Sequence, residues 1–183
     1  MSSRVRYPLR TRILHWLTAI LVFSTLLVGF TMVNSIGSYA TLVAIHMTLG
    51  VTILVIAVAR VANRFTHRTP PLPDTVGTLE HRMMIGSEVS MYALLLAQPI
   101  VGWAMVSAAG RPVVVFGALR LPGIAPFHAD AYFLLRQLHS VLAYALVVVI
   151  AAHVSAVILH TVTLRDGMAS RMTIGRAATR TKE

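Results

Sequence analysis

Eight histidines and no cysteine set the chemistry open to this chain of 183 residues. Without cysteine, disulfides, thiolate metal sites and covalent haem attachment through a CxxCH motif are all excluded, so any haem here would be held non-covalently. Three of the histidines, His139, His153 and His160, fall in LHSVLAYALVVVIAAHVSAVILH, residues 138–160, a run that contains no Asp, Glu, Lys or Arg. His15 and His46 fall in two further apolar runs. Ionisable side chains are costly inside a membrane and mark function when they occur there, and imidazole is a standard axial ligand to haem iron.

The elements that must position these residues follow from composition. The chain is 56% hydrophobic and 12% charged, with a mean hydropathy of +0.74, which places it in a membrane. Uncharged stretches of spanning length, ~20 residues for a ~30 Å hydrocarbon layer, predict transmembrane helices over 14–33, 39–59, 83–109 and 138–164. The third is interrupted by Glu88 and carries Pro99 and Gly102, which membrane helices tolerate. Between spans lie NSIGS, then RVANRFTHRTPPLPDTVGTLEHR, then GRPVVVFGALRLPGIAPFHADAYFLLRQ, in which short interfacial helices are expected. No internal repeat is visible. The first apolar run lacks a small-residue cleavage site and reads as a retained span. The fold class expected is an all-α membrane protein, one domain over 1–183 forming a four-transmembrane-helix bundle.

Charge sets the orientation. The net charge of +10 comes from 16 Lys and Arg against 6 Asp and Glu. All but Arg111, Arg120 and Arg136 fall in the N-terminal tail, the second loop or the C-terminal tail. The positive-inside rule therefore puts both termini in the cytoplasm. The basic character reports topology, and nucleic acid is not an expected partner; lipid is.

Depth then pairs the histidines. His139 and His153 are 14 residues apart on one span, ~21 Å along the axis and within ~40° of the same face, too far apart to share an iron. Each has a counterpart at its own depth: His46 with His139 in the outer half, His15 with His153 in the inner half. A lone histidine in a helix is more often interfacial or hydrogen-bonded than a ligand, but four that pair by depth suit two stacked bis-histidine sites, as two b-type haems require. Gly50, one turn after His46, would let a flat macrocycle approach the backbone.

The stretches IHMTLGVTILVIAVARVANR, QPIVGWAMVSAAGRPVVVFG and LHSVLAYALVVVIAAHVSAVILHTVTLRDGMASRM resemble the prokaryotic cytochrome b561 family of four-helix, di-haem, quinone-linked membrane proteins, from about Arg6 to Met172. The motifs that carry the resemblance are HW opening span one, HxxxG followed by Arg in span two, PxxGW in span three, and HX13H with a further His seven residues on and RD beyond. The resemblance implies that His15, His46, His139 and His153 are the axial ligands of two haem b groups in a bacterial inner membrane, and that the chain is an oxidoreductase. It also implies superoxide outside as a donor and ubiquinone as the acceptor, as in some members.

One departure is Glu88, where the family pattern has His; Glu88 is expected to pair with Arg12 or His160 or to face water. His160, a turn from the inner end of span four, could bind a quinone carbonyl or stand as an ordinary interfacial residue. Arg60 and Arg136 flank the two depths and are favoured as propionate contacts over lipid phosphates. His67, His81 and His128 are expected in solvated loops. Three classes remain open: a stand-alone oxidoreductase, a cytochrome subunit of a larger dehydrogenase or hydrogenase complex, and, least favoured, a metal or proton transporter. Whether the chain forms a homo-oligomer or joins a larger complex is open at this level.

Overall fold

The computed structural model describes residues 6–66, 77–165, 167 and 169–173. Four helices, α1 (Leu9–Met32), α2 (Tyr39–Thr66), α3 (Thr78–Ala108) and α4 (Ala129–Ile158), are each long and apolar enough to cross a membrane. Helix α4 runs on into a π-helical turn, Leu159–Leu164, which ends at Arg165 in a left-handed conformation, φ 52°.

Every helix extends past an uncharged stretch in the sequence: α1 begins at Leu9 rather than 14, α2 runs to Thr66 rather than 59, α3 begins at Thr78 rather than 83, and α4 begins at Ala129 rather than 138. The added turns carry Arg10, Arg12, Arg64, Glu80, Arg82 and Arg136. A helix satisfies its own backbone through the headgroup region, and long charged side chains reach water from there, so charge marks where the hydrocarbon ends and not where the helix ends. His81 accordingly lies in the first turn of α3, and His128 caps α4 by accepting from the Ala131 amide at 3.3 Å. His67 and TPPLPD lie outside the described residues.

In place of interfacial helices, the third loop forms a hairpin, β1 (Val113–Val115) antiparallel to β2 (Leu119–Leu121), with Val114 opposite Arg120. Three consecutive valines favour the extended chain, and the turn is made by positive φ at Phe116 (52°) and Gly117 (72°). The buried Val113 and Val115 seat it on α2, where the Phe116 amide donates to Thr48 Oγ at 3.2 Å. This end of the bundle is the hairpin side. The other is the terminal side, where residues 171–173 fold back on α1: the Tyr7 amide donates to Arg171 O (3.2 Å), Arg12 Nη1 to Thr173 O (2.8 Å) and Trp16 Nε1 to Met172 O (3.0 Å).

Packing runs α1 on α2, α2 on α3 and α3 on α4, with α1 and α4 in little direct contact. Val22, Ile53, Ala57, Leu95 and Leu146, at least one from each helix, form the buried core. Most other large apolar side chains face outward, as lipid requires. Hydroxyls within the bundle bond back one turn, Thr18 to Leu14 O (2.6 Å) and Thr25 to Leu21 O (2.7 Å), so they carry no unpaired donor into the apolar layer.

Candidate functional site

Three of the core residues stand two helical turns from the histidines of their own helices: His15 precedes Val22 and His46 precedes Ile53 by seven residues, and Leu146 lies seven residues from both His139 and His153. Seven residues return a helix to nearly the same face about 10 Å further along. The histidines and the core therefore share the inward face, with a histidine layer above the core and another below it.

Within those layers the rings meet as pairs. His46 and His139 have ring centroids 6.1 Å apart with planes at 75°; His15 and His153 are 6.3 Å apart at 58°. Imidazoles on opposite faces of one metal stand roughly 6 Å apart, given a metal–nitrogen bond of about 2 Å on each side and a ring radius of about 1 Å. Among the described residues no three His, Asp or Glu side chains gather at one point. A bare metal ion prefers three or four protein ligands, whereas a macrocycle that supplies four in-plane nitrogens needs only two.

The surroundings of the hairpin-side pair fit such a group. The Nδ1 atoms of His46 and His139 are buried without a hydrogen-bond partner, an arrangement that calls for an explanation in a native protein. A cleft lined by both rings, Gly50, Pro99 and Tyr144 opens between them. A Cβ at Gly50 would meet nothing within 4 Å, whereas one at Gly29 would sit 3.1 Å from His46 Cε1 and one at Gly102 3.0 Å from His139 Cε1. Gly29 and Gly102 thus let the two rings lie directly on α1 and α3, and Gly50 leaves room between them.

On the terminal side, Arg60 Nη2 stands 3.5 Å from His15 Nδ1, and its guanidinium stands 5.3 Å from the Tyr92 ring. Trp16 sets its edge against His15, centroids 5.7 Å apart, and its indole is held by Met172 O. His153 is exposed on the bundle surface, so this site opens sideways. Arg136 is exposed in the second turn of α4 on the hairpin side, as are Arg111 and Arg120 around the hairpin.

Two expected contacts are corrected. Glu88 pairs with Arg64 of α2, Oε1 to Nε at 2.7 Å and Oε2 to Nη2 at 3.5 Å, and not with Arg12 or His160. Arg12 is engaged with Thr173 O, and His160, in the π-helical turn, stands 3.1 Å from Glu80 Oε1. The lengthened α2 supplies the reason, since it carries Arg64 alongside Glu88. Reading histidines alone also misses Gln98, whose Nε2 donates to His139 O at 3.0 Å and lies 3.3 Å from His139 Nε2. Its signal in the sequence is an amide inside an uncharged span, four residues before Gly102.

Comparison with known proteins places this arrangement. Residues 6–175 match the family model described as prokaryotic cytochrome b561. The chain belongs to that family. It is 30% identical over 172 residues to cytochrome b561 homolog 2 of Escherichia coli (strain K12), covering 91% of this chain and 90% of the relative. It is also 30% identical over 169 residues to the probable superoxide oxidase CybB of Yersinia pestis, covering 87% and 90%. This member of the cytochrome b561 family is a four-span membrane protein and an oxidoreductase of b-type haem.

Proposed function

We propose that this cytochrome b561 moves electrons across a bacterial inner membrane with two haem b groups, oxidising superoxide on the hairpin side and reducing ubiquinone. Both termini lie in the cytoplasm in this reading, as the distribution of arginine favours. The observation that carries it is the pair of histidine pairs, 6.1 Å and 6.3 Å between centroids, at opposite ends of one bundle with an apolar core between.

When bound, each haem supplies one-electron redox chemistry. His46 and His139 hold one group, and His15 and His153 the other. Gly50 makes room for the macrocycle, and Arg60 and Arg136 neutralise propionates. The exposed Arg111, Arg120 and Arg136 outweigh Asp130 on the hairpin side and draw an anionic donor there, as a local field does. The name of the Yersinia relative supports superoxide as that donor. Two superoxide anions release two electrons and two dioxygen molecules; with two protons, those electrons convert one quinone to a quinol. His160, held by Glu80 at 3.1 Å, is suited to bind the quinone oxygen and deliver a proton.

The test is a reduced-minus-oxidised spectrum with a haem count. Low-spin b-type bands and two haems per chain are expected, and a colourless folded protein refutes the reading. Ala at His46 or His139 should disturb one haem and Ala at His15 or His153 the other; a common haem for His15 and His46 would break the pairing.

A further inference from the structure

The cleft between His46 and His139 opens toward one side of the bundle. Its lining residues on α2 and α3, His46, Ile53 and Leu95 among them, are all buried or half-buried. The lining residues that are exposed, Phe30, Val33, Ser140 and Tyr144, all belong to α1, its C-cap or α4. The mouth therefore lies at the seam where α1 and α4 have little direct contact. A ring pair spans that seam: Phe30 and Tyr144, 42% and 63% exposed, have centroids 6.1 Å apart with planes at 50°.

The aqueous end is fastened instead. The third loop is held across it by the buried Val113 and Val115, by the Phe116 amide on Thr48 Oγ (3.2 Å), by Trp103 Nε1 on Pro122 O (2.9 Å) and by the Ile124 amide on Ser107 Oγ (3.2 Å). Opening that end breaks these hydrogen bonds together, whereas parting Phe30 from Tyr144 separates two exposed rings. Both rings stand on spanning helices whose outward side chains are apolar, so the mouth faces lipid, in which an apolar macrocycle dissolves.

We infer that haem reaches His46 and His139 sideways from the lipid phase, through the seam between α1 and α4, and that the Phe30 and Tyr144 rings are the gate. The inference rests on the ligand assignment proposed above. Its consequence is that the hairpin can stay seated on α2 while the site is loaded.

The chain has no cysteine, so Phe30→Cys with Tyr144→Cys introduces its only two thiols, one on each side of the seam. In the haem-loaded full-length protein, joining them with a bifunctional methanethiosulfonate should slow release of one haem to an excess of a scavenging globin, relative to the same protein with each thiol capped singly. The expected factor is about tenfold or more, equivalent to ~1.4 kcal/mol on the opening barrier, and His46→Ala identifies which phase of release belongs to this site. Joining Thr48→Cys to Phe116→Cys in the same way, which fixes the hairpin on α2, should leave release unchanged. Tyr144→Ala should speed uptake of haem from phosphatidylcholine vesicles by about 2- to 12-fold, the worth of one aromatic pair, while Tyr144→Phe, which keeps the ring, takes up haem at the wild-type rate. Packing lost from the wall of a site speeds release and not uptake, so uptake separates a gate from a wall. If the protein with two cysteines holds no haem, uptake by Tyr144→Ala decides. Uptake unchanged in Tyr144→Ala, equal release from joined and capped protein, or slowing by the hairpin link alone would each overturn the inference. Absence of haem from the wild type would instead be a failure of the ligand assignment.

Discussion

Gly50→Ala separates room made for a macrocycle from ordinary helix packing, because the two predict different outcomes. Gly50 sits inside α2, one turn after His46, and a Cβ there would meet nothing within 4 Å beyond the local backbone of its own helix and its two chain neighbours. In the protein without haem the added methyl is sterically free, and exchanging Gly for Ala in a helix interior stabilises by about 0.8–1.0 kcal/mol. That gain is common to the haem-free and haem-bound states and cancels in binding. With a macrocycle between His46 and His139 the methyl intrudes on it, and overpacking of this kind costs about 1–3 kcal/mol. At 1.4 kcal/mol per decade, affinity for one haem falls roughly 5- to 150-fold. Haem content after purification and the rate of haem loss to an excess of a scavenging globin read the affinity, and thermal melting of haem-stripped protein reads the fold. One haem should be lost faster while the stripped protein melts no lower than wild type. Affinity unchanged within about twofold would show that no macrocycle lies against Gly50, and the hairpin-side site would have to be redrawn.

Gly102→Ala should behave differently: its Cβ would stand 3.0 Å from His139 Cε1, so the ring must move, and both haem retention and the melting of stripped protein should fall by about 1–3 kcal/mol; a variant that melts like wild type contradicts the seating of His139 on α3. Burial, and then the Glu88 carboxylate, raise the Tyr7 phenol above its ordinary value, with Arg171 and Arg64 opposing. The fold thus favours the protonated phenol, whose stabilisation is complete below pH ~10 and is lost as pH rises through the raised value. Melting curves between pH 8 and 12 should therefore fall less steeply in Tyr7→Phe, and superimposable curves would count against it. Arg111→Ala and Arg120→Ala should slow haem reduction by superoxide, and flatten its salt dependence, without slowing a neutral reductant; steering of this kind is worth about tenfold or more at low salt. Equal slowing with both donors would leave lipid or propionate contact as the role of these arginines.

The histidine pairs were legible in the sequence because depth along a spanning helix is nearly linear in residue number. Fourteen residues between His139 and His153 fix two layers whatever the neighbouring helices do, and the uncharged length of each span assigns His15 and His46 to one layer each. The place of Gly50 on the cleft beside His46 was legible for the same reason, being one turn from that histidine on its own helix. What could not be read depends on rotation and on contacts between helices. Gly29 and Gly102 matter because of which face α1 and α3 turn toward the rings of α2 and α4. Gln98 matters because its amide reaches across to His139 of another helix. The partner of Glu88 turned on whether α2 continues past Ala59, a question about the membrane interface that hydropathy answers poorly, since a helix crosses it intact while its side chains change from apolar to charged. The hairpin escaped for a related reason: its three valines read as apolar filler until Phe116 and Gly117 turn the chain back and the Phe116 amide finds Thr48, two residues from His46. Residues that supply chemistry were thus visible along the chain, and those that position it became visible only across it.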